Sequence, residues 1–329
     1  MIRRYFSAAV AALCLAAGSA PAQTASTGPA WPERPLKLVV PYTAGGQFDV
    51  VARMVAERMG QTLGQAVVVE NRPGGGTLLG ADYVSKSKAD GYTLFYAGAN
   101  AFAISPHLVA KMPYQRSDFQ TISLVSELPM GLVVNASLPV KTLEEFIAYV
   151  KANPDKVNFG TSGEGGAQHL LCELVKDRTG ISMQHVGYKG TAQVLQDLLP
   201  NRVNAACDGL LAYAPHMKSG ALRILAVSSS QRLPALPDVP TFAERGIPDA
   251  TVSAWGGIMA PAGLPPAVRQ KLHEAVTAAV NSPEVRQRIS NDAAVPRTTT
   301  PEEFDAIIRT DYEKWGGVIR KLGLAGSVK

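Results

Sequence analysis

Two short stretches carry residue types able to hold a charged guest. In "PYTAGGQFD", Pro41 to Asp49, a hydroxyl and a glycine pair lead into an apolar helical pattern, and in "GTSGEGGAQH", Gly160 to His169, the same plan returns. The first turn of a helix exposes N–H groups with no carbonyl four residues back, and its aligned peptide dipoles place about half a positive charge there. Glycines at that point let backbone donors approach a carboxylate or phosphate closely. Gly45 and Gly46 in the first stretch, and Gly165 and Gly166 in the second, are the turn positions, and Thr43, Thr161 and Ser162 bring hydroxyls able to donate as well.

Two acids stand beside these turns. Asp49, three residues after Gly46, would repel an anion unless it serves the helix as a first-turn or N-cap residue; direct ligand contact is the other reading, and both place it at the cleft. Asp208 ends the strand "VNAACDG", a position equivalent to Ala97 and Gly98 upstream. It either points into the cleft toward a ligand hydroxyl, amino group or water, or simply forms an Asp-Gly turn.

Catalytic readings find less support. Ser162, Asp208 and His216 follow the chain order of an α/β-hydrolase triad, but Glu164 stands where a nucleophile elbow needs its second glycine. His216 reads as the end of a helix and His169 as two turns into another, so packing or capping accounts for either. The glycines of "NRPGGGTLLG" miss the spacing of a dinucleotide fingerprint, and no phosphate-binding GxxxxGK[ST] occurs, so no cofactor is expected. No CxxC or HxxxH pair offers a metal site.

The elements that position the turns alternate. "LKLVVPY", "AVVVEN" and "YTLFYAG" read as strands, with "DVVARMVAERMG" and "TLLGADYVSKS" as the helices between them. From Lys156 the order recurs: "VNFGTS", "MQHVGY" and "VNAACDG" as strands, "AQHLLCELVKDRTG" and "TAQVLQDLLPN" as helices. Gly45 and Gly165, Gly46 and Gly166, and the helix-ending Gly60 and Gly180 each stand 120 positions apart. The expected fold is α/β, with two similar lobes joined by two crossover strands, as in a type II-like periplasmic binding protein. "TISLVSELPMGLVVNAS" is the outward crossing; "LRILAVSS" and "ATVSAWGGIMAPAG", marked by Trp255, form the return. Helices from Pro265 to Asn281 and from Pro301 to Leu322 complete the chain. The boundaries expected are 31–130 plus 254–329 for lobe 1 and 131–253 for lobe 2.

The 329-residue chain, 46% hydrophobic and 18% charged, suits a globular protein of about two domains. Arg3 and Arg4 ahead of "SAAVAALCLAAGSA", with "APAQ" following, read as a secretory signal peptide over residues 1–22. Leu13 before Cys14 disfavours a lipoprotein signal, and the run is too short to span a membrane. Cleavage would leave 30 basic and 27 acidic residues, a formal charge of +3, scattered rather than clustered, which argues against nucleic acid. Cys172 and Cys207 then remain; a disulfide and two small buried thiols are both compatible with their apolar surroundings.

Taken together, "WPERPLKLVVPYTAGGQFDVVAR", "LGQAVVVENRPGGG", "ADGYTLFYAGAN", "NFGTSGEGGAQHL", "HVGYKGTAQVLQDLL", "LPALPDVPTFAERGIP" and "GIMAPAGLP" resemble the Bug family, the periplasmic solute receptors of tripartite tricarboxylate transporters. The resemblance implies a monomeric, non-enzymatic receptor that closes on a small carboxylate-bearing ligand and delivers it to membrane transporter subunits. It brings Tyr42, Gly98, Asn100, His169 and Tyr188 into the ligand-holding set, beside Thr43, Gly45, Gly46, Asp49, Thr161, Ser162, Gly165, Gly166 and Asp208. Ala44, Gln47, Phe48, Glu164, Gly187 and Gly209 depart from the family's usual residues, so one carboxylate is expected at the loops and the distal group is left open. A sensor presenting its ligand to a membrane signalling protein and a secreted serine hydrolase are the alternatives.

Overall fold

The computed structural model describes residues 31–162, 165–291 and 294–327. The signal-peptide reading of residues 1–22 and the departure at Glu164 lie outside the described residues.

The chain opens on β1 (Leu36–Val40), α1 (Gln47–Leu63), β2 (Val67–Asn71), α2 (Leu78–Ser85) and β3 (Thr93–Gly98). β1 is buried because Leu36, Leu38, Val39 and Val40 face helices on both sides of the sheet. In α1, Val51, Ala52, Val55, Ala56 and Met59 recur at helical spacing and are all buried; each fully buried Val or Met is worth about 1.5–3 kcal/mol against exposure. A π-turn over Asn100–Ile104 and the short α3 (Ser105–Leu108) then lead to β4, Phe119–Asn135.

β4 changes partners along its length. Phe119 to Pro129 pair with β9 (Ser253–Pro261), whereas Met130 to Asn135 pair with β7 (Ala205–Gly209) and β8 (Leu222–Val227). Beyond it lie α4 (Leu143–Ala152), β5 (Asn158–Thr161), α5 (Ala167–Thr179), β6 (Gln184–Gly187), α6 (Thr191–Leu198) and, after β7, the short α7 (Ala214–Lys218). One half of the sheet runs β2-β1-β3-β9-β4 and the other β6-β5-β7-β4-β8, the same order, with parallel strands on the outside and an antiparallel strand entering from the opposite half. This is a two-lobed α/β binding-protein fold. The chain ends with α8 (Pro266–Asn281), α9 (Pro283–Asn291), the two-residue β10 (Val295–Pro296) and α10 (Pro301–Lys321). In α10 a reciprocal capping box between Thr300 and Glu303 starts the helix just ahead of Pro301.

The crossing at Trp255 requires its two glycines. A methyl group on Gly256 would lie 2.4 Å from the Tyr96 hydroxyl, and one on Gly257 would lie 2.3 Å from the Phe304 ring. The lobes also share a core. Ala103, Ile104 and Leu108, with Trp315 and Ile319 of α10, pack into the cluster formed by β5, α5 and β7.

One expectation is corrected. Gly60 does not end α1; the helix runs on to Leu63 and stops at Gly64, whose φ of 69° is left-handed, as is that of Gly180 at 66°. Gly60 is needed instead for a close approach, since a Cβ there would lie 3.2 Å from the Gln65 carbonyl oxygen. The turn glycines keep the 120-residue offset, and the helix ends do not.

Cys172 of α5 and Cys207 of β7 form a disulfide, with Cα atoms 5.8 Å apart and both residues fully buried. It closes a loop of 35 residues around lobe 2, so the Cys172→Ala/Cys207→Ala variant is expected to lose about 2–4 kcal/mol of unfolding stability in urea titrations. Reductant should lower the wild-type midpoint and leave the variant's unchanged.

Candidate functional site

The two glycine turns have nearly the same backbone. Gly45 and Gly165 are left-handed, with φ of 80° and 72°, and each is followed by an extended glycine that caps a helix: Gly46 at φ −73°, ψ 165°, and Gly166 at φ −80°, ψ 174°. A side chain would be strained at Gly45 or Gly165 whatever the free space. Beyond the caps, the N–H groups of Gln47, Phe48 and Asp49, and those of Ala167, Gln168 and His169, find no acceptor among the described residues.

The third residue of each helix braces its turn. The Gly45 N–H donates to Asp49 Oδ2 at 2.8 Å, and the Gly165 N–H donates to His169 Nδ1 at 3.1 Å. The lobes use the same contact with a carboxylate in one and an imidazole in the other. His169 therefore lies in the first turn of α5, nearer the loop than its sequence placement two turns in. Asp49 is buried and also accepts from Arg53 Nε at 3.0 Å and Asn71 Nδ2 at 2.8 Å, while Asn71 donates to the Tyr42 carbonyl. Burial opposes its ionisation, but the bonds from Arg53, Gly45 and Asn71 prevail and hold the carboxyl below the usual range. Of the two roles read for Asp49, the structure shows the first-turn one.

In lobe 2, Ser162 Oγ donates to Asp208 Oδ1 at 2.7 Å. Asp208 is buried and also accepts from the Gly209 N–H at 2.8 Å and the Tyr213 hydroxyl at 3.0 Å. Burial, outweighing these bonds, pushes its carboxyl up. With its proton committed to Asp208, Ser162 has only acceptor capacity left for a third group. Thr161 is fully buried, its Oγ1 2.7 Å from His185 Nε2. Thr43 is the exposed hydroxyl of the three.

His185 stacks on His169, ring centroids 3.8 Å apart at 13°. Burial, helped by the charge of His169 and opposed by Glu173, lowers the His185 imidazole to about 4. Tyr42 stacks on Phe48 at 4.1 Å, and its hydroxyl covers Gly98, where a Cβ would lie only 2.3 Å away; burial raises its pKa. Asn100, half-buried, opens the π-turn just after β3, its carbonyl accepting from the Ser105 N–H. Tyr188 stands apart from the turns by its hydroxyl, which donates to Asp197 at 2.8 Å while the ring covers Gly160; burial and Asp197 push it up to about 12.

Each turn has a neighbour from the other lobe. A methyl group on Gly209 would lie 2.9 Å from Gln47 Oε1, and one on Gly165 would lie 3.1 Å from Leu108 Cδ1, so residues of lobe 1 meet both the strand end and the turn of lobe 2. Gln47, Asn71, His185 and Tyr213 were outside the set read from the sequence. Gln47 was visible as a departure from the family's residues, and Asn71 as a polar residue closing an apolar strand.

The profile of the tripartite tricarboxylate transporter family receptor matches residues 51–324. This chain belongs to that family. Protein BugT of Bordetella pertussis is 37% identical over 295 residues, covering 89% of this chain and 90% of BugT. Among solved structures, Rpa4515 of R. palustris with adipate is similar at 33% identity and a TM-score of 0.83, covering 90% of this chain and 99% of that one. MatC (Rpa3494) from Rhodopseudomonas palustris with bound malate is similar at 31% and 0.78, covering 88% and 99%. The periplasmic binding protein BugD is similar at 34% and 0.80, covering 90% and 99%, and the receptor described here is not an enzyme. Its Ser162 accordingly bonds a buried acid rather than a histidine base. Among the described residues no helix is long and apolar enough to cross a membrane, and no group of three His, Cys, Asp or Glu side chains is placed to hold a metal.

Removing the brace at Asp49 leaves three donors unpaired, so Asp49→Ala is expected to cost about 1–3 kcal/mol of stability in chemical unfolding. His185 titrates near 6.5 when unfolded and near 4 when folded, so the unfolded chain binds the extra proton between those values. Stability should be complete above about pH 6.5 and fall as the pH drops toward 4, with a shallower slope in His185→Gln.

Proposed function

We propose that this chain is a periplasmic receptor that captures a small carboxylate-bearing ligand between lobe 1 (31–130 plus 254–329) and lobe 2 (131–253). It acts as a monomer, exported by a cleaved signal peptide over residues 1–22, and delivers its ligand to the membrane subunits of a tripartite tricarboxylate-type transporter. One observation carries the reading. Two helix N-termini with matching glycine caps each present three N–H groups that are unpaired among the described residues, and each of the two turns has a neighbour from the other lobe.

A carboxylate placed there gains backbone donors and two favourable dipoles without a formal cation. Arg53 is the nearby guanidinium in the first lobe, and its charge is already matched by Asp49. The bracing contacts from Asp49 and His169 keep the turns formed before the ligand arrives, which lowers the ordering penalty on binding. Adipate and malate in the related structures support the carboxylate class.

Calorimetric titration with adipate, malate and other di- and tricarboxylates should give one-to-one binding without turnover. Ser162→Ala removes the hydroxyl that ties the start of the second loop to Asp208, and is expected to weaken binding by about 1–3 kcal/mol by loosening that loop rather than by a lost ligand contact. A receptor that takes up none of these acids would abolish the reading.

A further inference from the structure

We propose that the Gln47 carboxamide recognises the second carboxylate of a dicarboxylate ligand, an inference that rests on the two turns being the cradle for the first. Gln47 is the first residue of α1, directly beyond the capping Gly46. Its half-buried side chain extends across to lobe 2 and lies against Gly209, the residue that follows Asp208.

Several polar side chains of the two turns already bond within the protein. Asp49 is held by Gly45, Arg53 and Asn71, Ser162 by Asp208, Thr161 by His185 and His169 by Gly165. The Gln47 amide, among the described residues, makes no hydrogen bond. A half-buried amide with no partner among the described residues keeps its N–H donors for a bound guest. Oε1 is the atom beside Gly209, which leaves the NH₂ group as the donor for a third party. A carboxylate is the matched acceptor, because the start of α1 next to it is electropositive. Phe48, stacked on Tyr42, gives the same turn an apolar side suited to the methylenes between two carboxylates. Gly209 is part of the arrangement, since any side chain there would displace the amide.

The test compares adipate, malate and hexanoate, the monoacid of adipate's length, by calorimetry on wild type, Gln47→Leu, Gly209→Ala and Ser162→Ala. Wild type should prefer a diacid to hexanoate. Gln47→Leu should weaken the preferred diacid at least about tenfold, change hexanoate less than about twofold and leave the unfolding midpoint in place, because no protein hydrogen bond is lost. Gly209→Ala should weaken the diacid likewise. Diacid affinity in Gln47→Leu within about twofold of wild type, with Ser162→Ala still defective, would overturn the assignment and leave the cradle standing. Equal losses for hexanoate and diacid in Gln47→Leu would also overturn it, as would a wild type that does not discriminate. If none of the three acids binds wild type, cradle and assignment fall together.

Discussion

The constraint on which this molecule depends is the orphan N–H group at a helix start. A helix cannot satisfy its first donors internally, so a turn that delivers the chain into a helix at the end of a parallel strand creates a small electropositive hollow. Here the hollow is built twice with the same pair of glycine conformations, and the third helical residue ties back to the first glycine each time. The strands that carry the two hollows belong to one continuous sheet. β4 leaves one half of the sheet and enters the other without interruption, and β9 returns.

Rigidity is distributed unevenly around these turns. The disulfide joins α5, whose start is the second turn, to β7, whose end holds Asp208, so the two elements that shape the lobe 2 side are covalently linked. In lobe 1 the same task falls to polar contacts, with Asn71 joining the Tyr42 carbonyl to Asp49. The two halves are also joined by a shared apolar core containing Leu108, Trp315 and Ile319, with ion pairs such as Lys321 with Asp177 beside it.

The histidine pair shows how one framework accepts different chemistry. Asp49 and His169 occupy equivalent helix positions and brace equivalent glycines, yet one is a carboxylate tied to Arg53 and the other an imidazole stacked on His185. An acceptor of either kind satisfies a lone N–H. The surrounding side chains decide which: an arginine one turn along α1, and a ring from β6 against α5.

The alternation of strands and helices, the two glycine turns and their shared offset were legible because each rests on local periodicity or on a conformation that only glycine adopts easily. The family resemblance was legible because seven stretches along the chain carry it jointly, the two turns among them. Gln47 and Gly209 stood out as unusual residues, but nothing along the chain revealed that they are neighbours. The pairing of Cys172 with Cys207, the commitment of the Ser162 proton to Asp208, the brace from Asn71 and the true end of α1 at Gly64 were decided by tertiary structure. Sequence fixes what a residue can donate or accept and which turns it permits. Which partner it meets depends on distances between segments far apart in the chain, and those exist only once the strands have assembled.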